Sequence, residues 1–353
     1  MTQLSNDELT DYVSQLIEPY HPLVEVDVLI VELNKIYHKF EASCYDQNHC
    51  EIHVQLPEMW SQMISQMCEI HDENELRILD FGCGTGFEAE QFLQYVPHDR
   101  IAQFVCYDLS GEMLKQCEQR ILKTFKTLTF TDGLNDVLQA GQKFNVLLTN
   151  SLLHHLPDPF GMIEKLSTCL TPDAVWLAGH EPSSRFYKNP QCRELLGKYN
   201  AEYSWRKFLS PKKYWDHFAS VLGFAIDPVN ATANAAVKER LFKLRPSPKT
   251  VARLVDLHVA HDAAEIKAGR GFDFKLIAND VSDFWKLTWM KSYSFMGPTY
   301  EGKLSHRWRV ECQRLREEFP LDGANVCCIW QRNQNAGFPR MIPTPSVVET
   351  SSN

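Results

Sequence analysis

Residues 78–88 read Ile-Leu-Asp-Phe-Gly-Cys-Gly-Thr-Gly-Phe-Glu. An apolar run reaches Asp80, and glycines follow at positions 82, 84 and 86. Glycine admits positive φ and lets a ligand approach without a Cβ clash. A helix starting after such a loop offers free N–H groups and a dipole that favour an anionic ligand group. A nicotinamide or flavin site wants Gly-x-Gly-x-x-Gly. Here the third glycine comes one residue early, and Phe87 stands in its place. Other chemistry-bearing side chains are grouped along the chain. His154 and His155 are adjacent, and imidazoles titrate near neutral pH, so one can act as a general base while the other packs or caps. His180 and Glu181 form a second pair, in which Glu181 can bind a ligand amine, act as a base or cap the next helix. Asp256, His258, His261 and Asp262 cluster further on, with the two histidines at a spacing that shares one helical face. That face reads as a substrate contact. No further ligand with matching spacing supports a metal, so none is expected.

These residues need elements to hold them. Residues 1–75 carry helical stripes: Tyr12, Val13, Leu16 and Ile17 after the capping-box pattern Ser5-x-x-Glu8, then Leu29, Leu33, Ile36, Tyr37 and Phe40. Pro57 suits a first helical position, ahead of Met59, Trp60, Met63, Ile64 and Met67. From residue 76 short apolar runs alternate with helical patterns. Strands are read at 77–81, 103–107, 128–131, 144–149 and 174–179, and helices at 86–95, 111–125 and 159–170. Such alternation means a mostly parallel, doubly wound sheet covered on both faces. Residues 182–270 break the rhythm, with helices expected at 189–200, 211–221, 232–244 and 248–260. Tyr199, Tyr203, Trp205 and Trp215 there either line a pocket or pack the helices. Trp285, Leu287, Trp289, Tyr293 and Phe295 share one parity, as a strand requires. A basic helix at 304–319, a turn and a strand at 325–331 follow. The organisation read from this is an N-terminal helical extension or lid at 1–75, a ligand-binding core at 76–181, a helical cap inserted at 182–270, completion of the sheet at 271–332 and a disordered tail at 333–353.

With the loop and its flanking elements in place, the sequence resembles the class I, seven-stranded S-adenosylmethionine-dependent methyltransferases. Their first motif has the acid-then-glycine form of ILDFGCGTG. Asp108 ends the second strand, in Val105-Cys106-Tyr107-Asp108, and Asp132 ends the third, in Thr131-Asp132-Gly133. The segment FNVLLTNSLLHHLPDP resembles the family's fourth strand with its histidine-containing turn. The resemblance covers 76–180 well and 272–331 loosely. It implies S-adenosyl-L-methionine as cofactor and a seven-stranded Rossmann-like sheet. It also implies that Asp80, Gly82, Cys83, Gly84 and Gly86 hold the methionine end. Asp108 with Leu109 would hold the ribose hydroxyls, and Asp132 with Gly133 would lie near the adenine. Asn150 and Ser151 would be nearest the transferred methyl. His154, His155 and Glu181 become candidate catalytic groups; Tyr37, Tyr45, His180, His258 and His261 become candidate substrate contacts.

Charge and composition bound the function. The chain has 353 residues and a formal net charge of −9, which argues against a nucleic-acid partner. Residues 1–75 are strongly acidic, 76–180 mildly so, and 181–353 basic. The basic part suggests attraction of an anionic acceptor, or docking against the acidic N-terminal helices. The longest run without Asp, Glu, Lys or Arg, Phe144 to Pro157, is too short for a membrane span. No secretory or transit pattern opens the chain. The 11 cysteines are scattered with no Cys-x-x-Cys pair, as for buried free thiols in a reducing cytoplasm. The reading is therefore a cytoplasmic methyltransferase of small metabolites, acting on O, N or C, with no membrane partner. The sequence gives no oligomeric state. The competing readings are a peptide or protein methyltransferase and a non-catalytic cofactor-binding partner protein.

Overall fold

The computed structural model describes residues 6–49, 52–71, 75–122, 125, 128–139, 141, 143–208, 227–262, 265, 270–297 and 304–333. Among them seven strands form one sheet: β1 Leu76–Phe81, β2 Ile101–Tyr107, β3 Thr129–Thr131, β4 Phe144–Asn150, β5 Leu170–Pro182, β6 Trp285–Tyr293 and β7 Asn325–Arg332. Their order across the sheet is β3-β2-β1-β4-β5-β7-β6. The first five strands pair in parallel, and β7 runs antiparallel between β5 and β6. This is the expected mostly parallel seven-stranded sheet. Its order reverses between β1 and β4, where open α/β sheets form a ligand crevice beyond their strand ends.

Strand parity divides the core in two. Ile78, Phe104, Val146, Val175 and Ile329 pack on one face with α4 (Ile52–Ile70), α5 (Phe87–Tyr95) and α6 (Gly111–Ile121). Their chain neighbours Leu79, Val105, Leu147, Trp176 and Trp330 pack on the other face with α8 (Pro159–Leu166) and α13 (Phe274–Asp280). Both faces are buried, so these strands are apolar throughout rather than alternating.

A third apolar cluster lies beyond the sheet. Leu9, Val13 and Ile17 of α1 (Asn6–Ile17) and Leu29, Leu33 and Ile36 of α2 (Val26–Glu41) meet Ala236, Leu241, Phe242 and Leu254. The last group belongs to α11 (Pro228–Lys238), the turn after it and α12 (Pro248–Val255). The acidic N-terminal helices therefore pack on the inserted region.

Several sequence-based boundaries move. The helix expected at 232–244 is α11, which starts earlier because Asp227 caps it, accepting from the N–H groups of Val229 (3.0 Å) and Asn230 (3.2 Å), with Pro228 at its first position. The helix expected at 248–260 ends at Val255. Pro57 lies inside α4 rather than opening it. In β6 the shared parity breaks. A register shift between Leu287 and Trp289 inserts Thr288 as a bulge. Trp285, Leu287 and Met290 then face α13, while Trp289 and Tyr293 face α4. One extra residue reverses the facing of all that follow. Ser5, the 211–221 helix, Trp215, the side chains of Tyr203 and Trp205, and the tail from 334 lie outside the described residues.

Candidate active site

The glycine loop occupies the tip of β1. Its three glycines all adopt positive φ: +80° at Gly82, +51° at Gly84 and +85° at Gly86. The N–H groups of Gly82 and Cys83 donate to the Tyr107 carbonyl at 2.8 and 2.9 Å, which ties the loop to β2. A Cβ on Gly82 would meet the Leu152 side chain at 2.7 Å, and one on Gly86 the Cys117 backbone at 3.1 Å. A Cβ on Gly84 would meet nothing within 4 Å. Gly84 is the point where the loop opens onto a cavity of about 210 Å³.

Asp108 follows β2 at the wall of this cavity. Its carboxylate accepts from the Gly84 N–H at 2.9 Å and the Ser110 N–H at 2.8 Å. Burial raises its pKa, and a nearby His38 and the two N–H bonds oppose that rise. Asp80 is fully buried behind the loop, and neither of its carboxyl oxygens has a hydrogen-bond partner. Burial first, then the neighbouring Glu88, pushes its pKa well up. Glu88, on the first turn of α5, lines the cavity and is pushed up to about 8, chiefly by burial. Leu109, Met113, Leu134, Leu152 and Met162 give the cavity an apolar end. Asn150 also lines the cavity, its Oδ1 accepting from the Trp60 indole at 3.2 Å. Gly179 must be small here, because a Cβ would stand 2.5 Å from that oxygen.

The residues expected to hold the cofactor are thus largely assembled, with exceptions. Gly82, Cys83, Gly84, Asp108, Leu109 and Asn150 line the cavity; Asp80 and Gly86 support it from behind. Asp132 is exposed, and neither it nor Gly133 lines the cavity. Thr131 and Asp136 occupy that turn instead, the Thr131 hydroxyl donating to Asp136 and accepting from the Gly133 N–H at 3.0 Å.

The N-terminal helices close the cavity in a way no motif announces. Asn34, His38, Tyr45 and Asp46 all line it. The Thr85 hydroxyl donates to Asp46 at 2.9 Å, and Arg120 pairs with Asp46 while donating to the Thr85 carbonyl at 3.1 Å. This clasp fastens the segment between α2 and α4 to the glycine loop.

A second cavity, of about 290 Å³, adjoins the first. His38, Tyr45, Ser151 and His155 line both. Its wall adds Tyr37, Glu41, His49, His154, His180 and Asp256, and among the described residues no Lys or Arg lines it. Ser151, just after β4, and His180, at the irregularity between Ala178 and Glu181 in β5, have φ of 53° and 55°. Such left-handed backbone in non-glycine residues costs of order 1–3 kcal/mol each and gathers at functional sites. Glu181 is fully buried and does not line the cavity. One of its oxygens accepts from the N–H groups of Leu152 and Leu153, each at 2.9 Å, and the other lies 3.0 Å from His154 Nδ1. It is a positioning group rather than a free base. Burial disfavours a charged His154, but the Glu181 hydrogen bond and charge overcome this and raise its pKa. His155 goes the other way: burial and neighbouring histidines hold it neutral.

Tyr37, Tyr45 and His180 are at this cavity, as expected. His258 and His261 are not. Because α12 stops at Val255, the two do not share a helical face. His258 is buried against Phe272, its Nε2 3.0 Å from the Leu156 carbonyl, and His261 is exposed. The residues missed by sequence reading are His38, Glu41, Asp46, Glu88 and Leu134. Apart from Glu88, which sits beside the glycine motif, only tertiary packing brings them here.

A family model described as a methyltransferase domain matches residues 79–176. The ubiquinone biosynthesis O-methyltransferase of Marinobacter nauticus is 26% identical over 196 residues, 49% of this chain and 79% of that protein. The protein of the same name from Haemophilus ducreyi is 28% identical over 105 residues, 28% of this chain and 42% of that protein. Among solved structures, the plantazolicin methyltransferase BpumL, in complex with a triazolic desmethyl analogue and SAH, aligns over 92% of this chain and 98% of its own. The TM-score is 0.43 and the identity 12%.

Proposed function

The chain belongs to the class I S-adenosylmethionine-dependent methyltransferases, and from that premise we propose that it methylates an oxygen of a small acceptor seated in the histidine-lined cavity. The observation that carries this reading is the pair of adjoining cavities sharing His38, Tyr45, Ser151 and His155. A cofactor in one and an acceptor in the other would meet at those four residues. The names of the two O-methyltransferase relatives support oxygen as the acceptor atom. In this proposal 1–75 forms the lid, 76–181 the cofactor unit, 182–270 the acceptor cap and 271–332 the rest of the sheet.

The residues present fit S-adenosylmethionine. Gly84 leaves room for close approach, Asp108 offers a carboxylate to vicinal hydroxyls, and the apolar end formed by Leu109, Leu134 and Met162 suits a flat base. Asp80 and Glu88 are carboxyls whose charge awaits a cation. The cofactor, when bound, supplies an electrophilic methyl group on a sulfonium.

The chain's own residues then align, shield and handle a proton. The buried wall of the first cavity and the clasped N-terminal segment keep water from the junction. Ionisation of the acceptor hydroxyl is assigned to the group formed by His154, His155 and Asp256, which faces the second cavity. Glu181 fixes the orientation of His154 through Nδ1. Among the described residues no Lys or Arg lines this cavity, and the proposed acceptor class is a hydroxyl compound.

Incubation with methyl-labelled S-adenosylmethionine and a panel of phenols, alcohols and amines tests this reading. The label should appear on oxygen. His154→Gln should lower kcat by about 10²–10⁴-fold while leaving cofactor binding intact. Label found only on nitrogen or carbon would contradict the assignment.

A further inference from the structure

We propose that His154, His155 and Asp256 bind a divalent transition-metal ion at the wall of the acceptor cavity. One ring nitrogen from each histidine and one Asp256 oxygen all lie within 4.8 Å of one another. The arrangement behind them is that of a prepared ligand set. His154 Nδ1 is engaged by Glu181 at 3.0 Å, which leaves Nε2 as the outward donor, 3.9 Å from Asp256 Oδ1. Glu181 is itself held by the Leu152 and Leu153 N–H groups. A carboxylate that fixes the ring and tautomer of a histidine is the usual outer support of a metal ligand. The His155 ring lies beside it, tilted by 42°, with ring centroids 4.1 Å apart and Nδ1 2.8 Å from the Val255 carbonyl.

The surroundings favour a cation independently of these distances. Asp256 lines the cavity, no Lys or Arg lines it among the described residues, and His38, His49 and His180 share its wall, with Glu41 engaged by Tyr37 and His49. His38 already lies edge-on to His155, with ring centroids 5.1 Å apart. Mixed imidazole and carboxylate donors suit zinc, cobalt, nickel, manganese or iron better than magnesium or calcium. Asp256 is part-exposed, so its carboxylate can turn toward an ion without disturbing the core. This departs from the sequence-based expectation of no metal, which weighed His258 and His261; the fold separates those from the site.

The inference rests on the acceptor-cavity reading and deepens it. An ion with three protein ligands keeps positions open to the cavity. An acceptor hydroxyl oxygen bound there becomes more acidic and loses its proton to solvent. That oxygen then forms the new O–C bond, and the S–C bonding pair stays on sulfur.

The test is direct titration of the chelator-treated full chain with Co²⁺ alone, followed by visible d–d absorption and by equilibrium dialysis. One equivalent should bind saturably. Asp256→Asn should weaken it at least tenfold, and Glu181→Gln by about 10–100-fold through loss of the outer support. His306→Gln, at an exposed position that does not line the cavity, should leave binding unchanged. No saturable binding, or equal binding by Asp256→Asn and the unaltered chain, overturns the proposal. Neither cofactor nor acceptor is present, so failure here with intact O-methylation rejects only the metal. Binding without methylation of any oxygen rejects the acceptor assignment instead.

Discussion

Asp80 is buried with no hydrogen-bond partner for either oxygen, and for Glu88 burial outweighs the Asn150 hydrogen bond and the Arg120 charge, so both carboxyls are pushed up. A carboxyl whose folded pKa exceeds its unfolded value keeps its proton best in the fold. The stability of the unliganded protein should therefore fall as pH rises from the ordinary carboxylate range toward about 8, and level off above it. Binding a net cationic cofactor favours the ionised carboxyls, so protons are released on binding. Affinity for S-adenosylmethionine should rise with pH up to about 8, by no more than tenfold per pH unit for each proton released. Calorimetry across that range is the check, and Glu88→Gln should flatten most of the slope. A flat profile for the unaltered chain would show that these carboxyls do not respond to the cofactor. At this scale the sequence revealed what one local motif carries: Asp80, the glycines, Asp108 and Asn150. It gave no sign of His38 or Glu41, because their part in the site depends on where α2 lands. Asp132 is exposed and does not line the cavity, and the turn is held by Thr131 and Asp136, a difference that a strand-end acid does not show in sequence.

The glycine loop works because its three positions differ. At Gly86 a side chain would need left-handed backbone and would also press on Cys117, at 2.8 Å from its sulfur. At Gly84 the backbone is left-handed but the space is open. Gly84→Ala should cost about 1 kcal/mol in urea unfolding and at least tenfold in cofactor affinity, since its Cβ projects toward the ligand. Gly86→Ala should cost about 2–4 kcal/mol, adding overpacking to backbone strain. Equal destabilisation by both would contradict this division of labour. Strands were legible as elements because both faces are buried, which leaves continuous apolar runs. Helix ends were less so. The Asp227–Pro228 start is a local cap-and-proline pattern ahead of the apolar periodicity that placed the helix at 232. The Thr288 bulge carried no signal, since it depends on pairing with β7.

Across the whole molecule, the charge asymmetry has a structural outcome. The acidic N-terminal helices pack on α11 and α12 through an apolar interface, with Arg270 lying over the Tyr12 ring at 3.7 Å. Arg253 is taken up by Glu265 at 2.7 Å and by Asp262 at 2.5 Å. Arg270 thus serves the docking of α1, Arg253 is neutralised within the inserted region, and among the described residues no Lys or Arg lines the histidine-lined cavity. Among the described residues no helix is long and apolar enough to cross a membrane, and the ten cysteines there are free thiols, as their spacing suggested. The doubly wound sheet could be read from the order of apolar runs. The closure of its crevice by segments about 200 residues apart could not, because that contact leaves no periodicity. The account stands on the cofactor lying between the glycine loop and Asp108. Its most direct test is isothermal titration with S-adenosylhomocysteine of the unaltered chain and of Asp108→Ala. Binding of one equivalent, weakened at least tenfold in the variant at an unchanged melting temperature, is the predicted result. Absence of binding by the folded chain, or equal affinity in the two proteins, would contradict it.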